Sequence, residues 1–373
     1  MNAITYCMNV HRGEDLASVQ EALEEVTIPL REVFGTEGAF PLGLRLSADA
    51  AKLLRDSETL RRFSSFLVHN KLSVMGINGF PHDAFHDCVV KERVYEPDWT
   101  NPERAVYTRN LFYALSHLPT ARLGDHFPSV TTVPLAYDRG QEISDAIVEE
   151  LCSMALFLRK LEGFTGRRMC LALEPEPDCL LERTQQTIDF FERLWSHPLW
   201  VPSYRPYIGL CFDTCHFAVS YEDPLNALRS IVAANIPVAR IQVSAALEFN
   251  CYTTEETLRA FIDREYLHQV RRREANAELT CFPDLTEEVL PQLVGQSGRI
   301  HYHVPLAWQG STELESTRRT LTPAFWRYVR AGGWPLEVES YAYFVYPQSL
   351  RKKTLSESLL DDMMWVRNQL KSV

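Results

Sequence analysis

The sequence predicts an α/β fold of the (β/α)8 TIM-barrel type, on three observations. Short apolar runs alternate with longer amphipathic stretches along the 373 residues, the pattern of repeated strand-helix units around a parallel sheet. Eight such runs can be placed, the number that closes a barrel. No glycine-rich phosphate loop follows the first of them, so the strongest signal for a doubly wound dinucleotide-binding sheet is missing.

In order, the strands are expected at Ala3–Asn9, Leu42–Leu46, Leu72–Asn78, Ser129–Val133, Cys170–Glu174, Ile208–Asp213, Val238–Val243 and Leu336–Glu339. Each is a short run dominated by apolar residues, as strands buried on both faces require. Between them, Leu16, Val19, Leu23 and Val26 recur at helical spacing, as do Ile147, Leu151, Met154 and Leu158. Further helices are expected near Arg104–His117, Thr184–Leu194, Pro224–Ala233 and Leu350–Leu370.

Two intervals break the rhythm. Residues 78–104 are rich in His, Pro and aromatic residues without helical period, and read as a long loop over one barrel end. Residues 244–335 are too long for one helix: they suggest helical parts at Glu255–Arg273 and Leu285–Leu293, then an extra strand-like element at Arg299–Leu306 beside the mouth, which could instead be a barrel strand. No repeat or linker appears, so residues 1–373 read as one domain.

The formal net charge of -11 argues against a phosphate-tracking surface, making nucleic acid an unfavoured partner and a small molecule the favoured one. Nine cysteines without a C-x-x-C pair suit reduced thiols and a cytoplasmic location better than a disulfide framework. No signal peptide or membrane-spanning run is evident.

Three strands end on an acid: LALE at Glu174, LCFD at Asp213 and LEVE at Glu339. In a parallel barrel all such ends point to one face, so these carboxylates can converge. Buried together they repel unless they share a proton or a cation, and a divalent metal is the simplest solution. Oxygen ligation favours Mn, Mg or Co, and added imidazoles favour Zn. Asp213 could alternatively serve only as a helix cap. Gln242, ending VARIQV, stands where a fourth ligand is expected, although an amide is a weak donor. His301 and His303 share one strand face and could lean towards the mouth, with His303 nearer the strand end as the compensating ligand. Asn9, His11 and Asn78, at the ends of the first and third strands, would line the same mouth, and His82 and His86 of the long loop would contact substrate there.

The motifs FDTCH (Phe212–His216), LEPEP (Leu173–Pro177) and PLEVES (Pro335–Ser340) resemble those of the xylose isomerase-like TIM-barrel superfamily, which includes sugar isomerases, ketose 3-epimerases and endonuclease IV. Within it, TYCMNVH (Thr5–His11), NGFPHDAFH (Asn78–His86), VKERVYEPDW (Val90–Trp99), TTVPL (Thr131–Leu135) and HYHVPL (His301–Leu306) look most similar to the EboE family of metabolite-traffic proteins. The resemblance implies a divalent metal held by Glu174, Asp213, the residue at 242 and Glu339, with His216 on substrate or a second metal. It departs at Gln242, where relatives usually carry His. Glu174 and Glu339 are then the expected catalytic acid/base pair of an isomerase or epimerase acting on a small polyhydroxylated metabolite. A metabolite carrier without turnover and an endonuclease IV-like hydrolase are the alternatives.

Overall fold

A computed structural model describes every residue except Met1, Glu37 and Lys352. Thirteen strands occur among the described residues. In chain order they are β1 (Ile4–Tyr6), β2 (Phe40–Arg45), β3 (Leu72–Asn78), β4 (Ser129–Thr132), β5 (Cys170–Leu173), β6 (Ile208–Asp213), β7 (Val238–Val243), β8 (Ala246–Phe249), β9 (Val270–Arg273), β10 (Leu279–Phe282), β11 (Ser297–His303), β12 (Leu314–Ser316) and β13 (Leu336–Val338). Eight form a parallel sheet in the order β1-β13-β7-β6-β5-β4-β3-β2. A parallel bridge from Cys7 to Gly43 joins its two ends, and Thr5 Oγ1 donates to the Pro41 carbonyl at 2.6 Å beside it. The ring is the expected barrel, with strands at all eight expected positions.

Helices cover the outside. Pro102–His117, Asp145–Thr165, Thr184–Ser196, Pro224–Ala233 and Leu355–Lys371 coincide with expected segments. Ser57–His69 and Pro323–Gly332 were not expected: each begins at a side-chain cap, Asp56 and Thr322, that accepts from a first-turn amide. No helix among the described residues is long and apolar enough to cross a membrane.

A buried ion pair fills the barrel interior below the mouth. The Arg240 guanidinium donates to both oxygens of Glu337 at 3.0 and 2.9 Å, and also reaches the Ser129 carbonyl at 2.6 Å. Two glycines make room: a Cβ at Gly43 would stand 1.9 Å from Glu337 Oε1, and one at Gly76 2.1 Å from Arg240 Nη2. Such approaches exclude any side chain.

The 244–335 interval differs from expectation. It builds a second, antiparallel sheet, β10-β9-β11-β8-β12, beside the mouth. The extra strand proves to be β11 of this sheet, not a barrel strand. The helix expected at Glu255–Arg273 stops after Glu255–Arg259. Asp263 then ties a turn by accepting from Glu265 N and pairing with His268, and β9 pairs on both edges with β10 and β11. Arg271, read as a polar helix position, is instead buried between Asp178 and Glu182 at 2.7 and 3.1 Å. Of Leu285–Leu293 only one 3-10 turn, Leu290–Gln292, forms.

Candidate active site

Glu174, Asp213 and Glu339 converge because their strands end on one rim. Glu174 N donates to Thr132 O and Glu339 N to Val243 O, so each acid continues its ladder by one residue. One oxygen of each of the three carboxylates lies within 4.8 Å of the other two. Asp213 has two tasks, since Oδ1 caps the helix Thr214–Val219 by accepting from Cys215 N (2.7 Å) and His216 N (3.0 Å), and also from Ser244 Oγ (2.7 Å). The capping alternative is therefore realised by one oxygen alone. Glu339 Oε1 accepts from Asn9 Nδ2 at 2.7 Å.

Asp213 Oδ2, Glu174 Oε2 and Glu339 Oε2 are buried without a hydrogen-bond partner. Burial first, and then the neighbouring carboxylates, push Glu174 and Glu339 well above the usual carboxylate range. Burial raises Asp213 as well, opposed by His303 and by the groups that donate to it. Three acids with one orphaned oxygen each form a donor set suited to a divalent cation.

Three imidazoles stand beside them. His216 Nδ1 donates to the Pro175 carbonyl at 2.8 Å, leaving Nε2 towards the site, 3.8 Å from Asp213 Oδ1. His303 Nδ1 donates to the Glu339 carbonyl at 3.3 Å. His301 Nδ1 donates to Gln269 Oε1 at 2.7 Å, and the Gln269 orientation follows from its Nε2 donating to Pro177 O at 3.1 Å. These assignments leave an unprotonated Nε2 on each ring. Burial lowers His216 to about 3 and His303 to about 4, and places His301 well below its ordinary value, so all three are neutral. Asp213, His216 and His303 form a second donor group of ligating spacing, and Glu176, His216 and His301 a third.

Gln242 is at the level of Asp213 and Glu337, its register partners on the two flanking strands. Its Oε1, expected as a ligand, accepts from Cys211 Sγ at 3.0 Å, and Nε2 reaches Glu337 Oε2 at 3.5 Å. Both ends of the amide are thus engaged by Cys211 and Glu337.

Above this floor opens a pocket that encloses about 520 Å³ of space, part of it continuous with solvent. Asn9, Asn78, His216 and His301 line it together with Glu174 and Glu339. His86 stands behind the wall, donating to the Asn9 carbonyl at 2.6 Å and accepting from the Tyr266 hydroxyl. Two expected lining residues face elsewhere. His11 is held by Tyr6 Oη at 2.8 Å and borders a separate crevice, because the chain turns after β1. His82 pairs with Asp83 at 2.7 Å and packs edge-on against Tyr107.

Sequence reasoning passed over Glu176, Lys91, Tyr95, Tyr266 and Tyr341, all of which line the cavity. Glu176 had a signal, as the second acid of LEPEP. Burial raises it to about 8 although Tyr95 Oη donates to it at 2.9 Å. Lys91 Nζ donates to Asp284 Oδ2 (2.6 Å) and to the carbonyls of Asp263 (3.0 Å) and Tyr266 (2.7 Å), partners that lie far along the chain and leave no local signal.

No family model and no curated protein matches the chain. Solved structures do. The chain is similar to an IOLI protein with a bound zinc atom (11% identity, TM-score 0.53, covering 100% of this chain and 99% of that one). It is also similar to a xylose isomerase-like TIM-barrel protein from Mycobacterium smegmatis in complex with magnesium (10%, TM-score 0.54, 100% and 97%). An L-ribulose 3-epimerase matches at 12% identity and TM-score 0.51, over 100% and 95% of the two chains. With eight parallel strands closing in order and full-length agreement with these barrels, the chain has the xylose isomerase-like TIM-barrel fold.

Proposed function

We propose that the chain is a divalent-metal-dependent enzyme of the isomerase or epimerase type acting on a small polyhydroxylated metabolite. The observation that carries this reading is the convergence of Glu174, Asp213 and Glu339, each with a buried oxygen that nothing satisfies. The three carboxylates would hold the ion, with His303 Nε2 completing the set in place of Gln242. The zinc and magnesium of two structural neighbours and the sugar epimerase activity named for a third support it. Mn, Mg, Co or Zn fits the donors.

The cation would supply polarisation of a substrate carbonyl. The protein residues do the rest. Glu174 and Glu339 flank the ligand space, so one carboxylate can take the proton from the carbon next to that carbonyl while the other returns it. Asn9 fixes Glu339 by its 2.7 Å hydrogen bond, and Asn78 offers an amide to a substrate hydroxyl. His216 Nε2, neutral and unprotonated, accepts from another. The test is hydrogen exchange between substrate carbon and deuterated water. It should require added metal and vanish in Glu174→Gln and Glu339→Gln, and exchange that persists in both variants would sink the reading.

A second reading, a carrier that binds and releases its metabolite unchanged, is favoured by the motif resemblance to the EboE family and would set the protein in secondary-metabolite biosynthesis or trafficking. Metal-dependent ligand binding without exchange would select it. An endonuclease IV-like hydrolase fits less well, because Lys91, the one cation lining the cavity among the described residues, is already neutralised by Asp284. Nine free cysteines support a cytoplasmic location.

A further inference from the structure

The cavity has two halves of opposite character. Its floor is the set of carboxylates, amides and imidazoles described above. Its upper wall is Phe80, Pro81, Phe85, Val90, Val94 and Leu267, with the rings of Tyr95, Tyr266 and Tyr341. Two of those tyrosines present ring surface and not hydroxyl, since Tyr95 Oη is spent on Glu176 and Tyr266 Oη on His86. A bare sugar could stack a C–H face on one of those rings, but it would leave the aliphatic part of the wall, Val90, Val94 and Leu267, without an apolar partner.

Positive charge is lacking as well. Lys91 is locked by three acceptors. Arg45 is paired with Glu14 at 2.6 Å, Arg104 donates to the carbonyls of Pro97, Gly79 and Phe80, and Arg271 is held by Asp178 and Glu182. Among the described residues, no free cation lines this wall to bind a phosphate or carboxylate substituent.

We infer that the natural ligand is an uncharged polyhydroxylated head group carrying an apolar substituent, with the head on the carboxylate floor and the substituent against the Phe80–Phe85–Val94 wall. This deepens the proposed function and rests on it, because the head is what that chemistry acts upon. The wall is built in advance of any ligand: Val90 N and Lys91 N both donate to the Glu265 carbonyl, at 2.9 and 3.0 Å, fixing one loop on the other. A preformed apolar surface is where added methylenes raise affinity most directly.

The test titrates D-glucose, its methyl, butyl and hexyl β-glycosides, and D-glucose 6-phosphate calorimetrically into the full chain with Mn2+. Affinity should rise about threefold to fourfold per methylene, the factor expected for full burial, and the phosphate should bind more weakly than glucose. Val90→Asn with Val94→Asn should flatten the series. Binding that is independent of chain length, or strongest for the phosphate, overturns this inference alone. Failure of every sugar to bind the metal-loaded chain overturns it together with the polyol reading.

Discussion

His301 and His303 meet Nε2 to Nε2 at 3.2 Å, with the Nδ1 of each already donating to a carbonyl oxygen. Two lone pairs therefore face one another in a buried site, an arrangement that a shared proton or a cation relieves. Burial keeps both rings neutral, which favours the cation. Calorimetric titration of Mn2+ or Zn2+ should show affinity lost in Glu339→Ala and reduced at least tenfold in His303→Ala. Asn9→Ala, which frees Glu339 Oε1, should cost about 10- to 100-fold, as outer-sphere partners do. Gln242→Ala should change affinity only a few-fold, because its amide oxygen is turned to Cys211.

Stability of the metal-free protein should peak near pH 6 to 6.5. Glu176 and Asp362, raised to about 8 and about 7, keep protons that the unfolded chain has released above its ordinary carboxylate values. Their contribution is complete at low pH and lost as pH rises through the folded values. His11, His86, His216 and His303, lowered to about 3 or 4, act oppositely: their contribution is complete above the ordinary 6.5 and lost as pH falls towards 4. Thermal unfolding in a chelator should show both limbs, and Mn2+ should raise the transition more at pH 8 than at pH 6, since it binds the ionised carboxylates.

Breaking the Arg240–Glu337 pair from one side should be costly. Arg240→Met or Glu337→Leu each leaves a fully buried charge, and a loss of about 3–5 kcal/mol is expected in denaturant unfolding. The double variant should recover much of it. Gly43→Ala should destabilise by about 1–3 kcal/mol, the usual range for overpacking, through contact with the same carboxylate.

For the reaction itself, Glu174→Gln and Glu339→Gln should each lower turnover by about 10²–10⁴, the usual worth of a positioned acid or base. Full turnover by Glu174→Gln would remove that residue from the acid/base pair.

The barrel was legible because its strands carry their own signal. Runs such as IGLCFD and VARIQV are buried on every residue, and their length and endings survive any tertiary context. The acids at their ends were legible for the same reason, as was the alternation in IHYH that puts His301 and His303 on one face. The second sheet was not. Its strand VRRR reads as a polar helix segment until Asp178 and Glu182, far away in sequence, make Arg271 a buried residue. Tyr266 and Lys91 were equally hidden, since only the meeting of two loops gives them a cavity to line. The partners of Gln242 were hidden as well, since Glu337 lies on a neighbouring strand and Cys211 on the other, and only the closed sheet brings them to its amide.

The two backbone hydrogen bonds from Val90 and Lys91 to Glu265, reinforced by the Lys91 ammonium, stitch together segments that are far apart in the chain. Neither can swing outward alone without leaving a carbonyl or an ammonium bare. Parting of the two segments is therefore a joint event. Protection of the Val90 and Lys91 amides against deuterium is the clock on which it can be read.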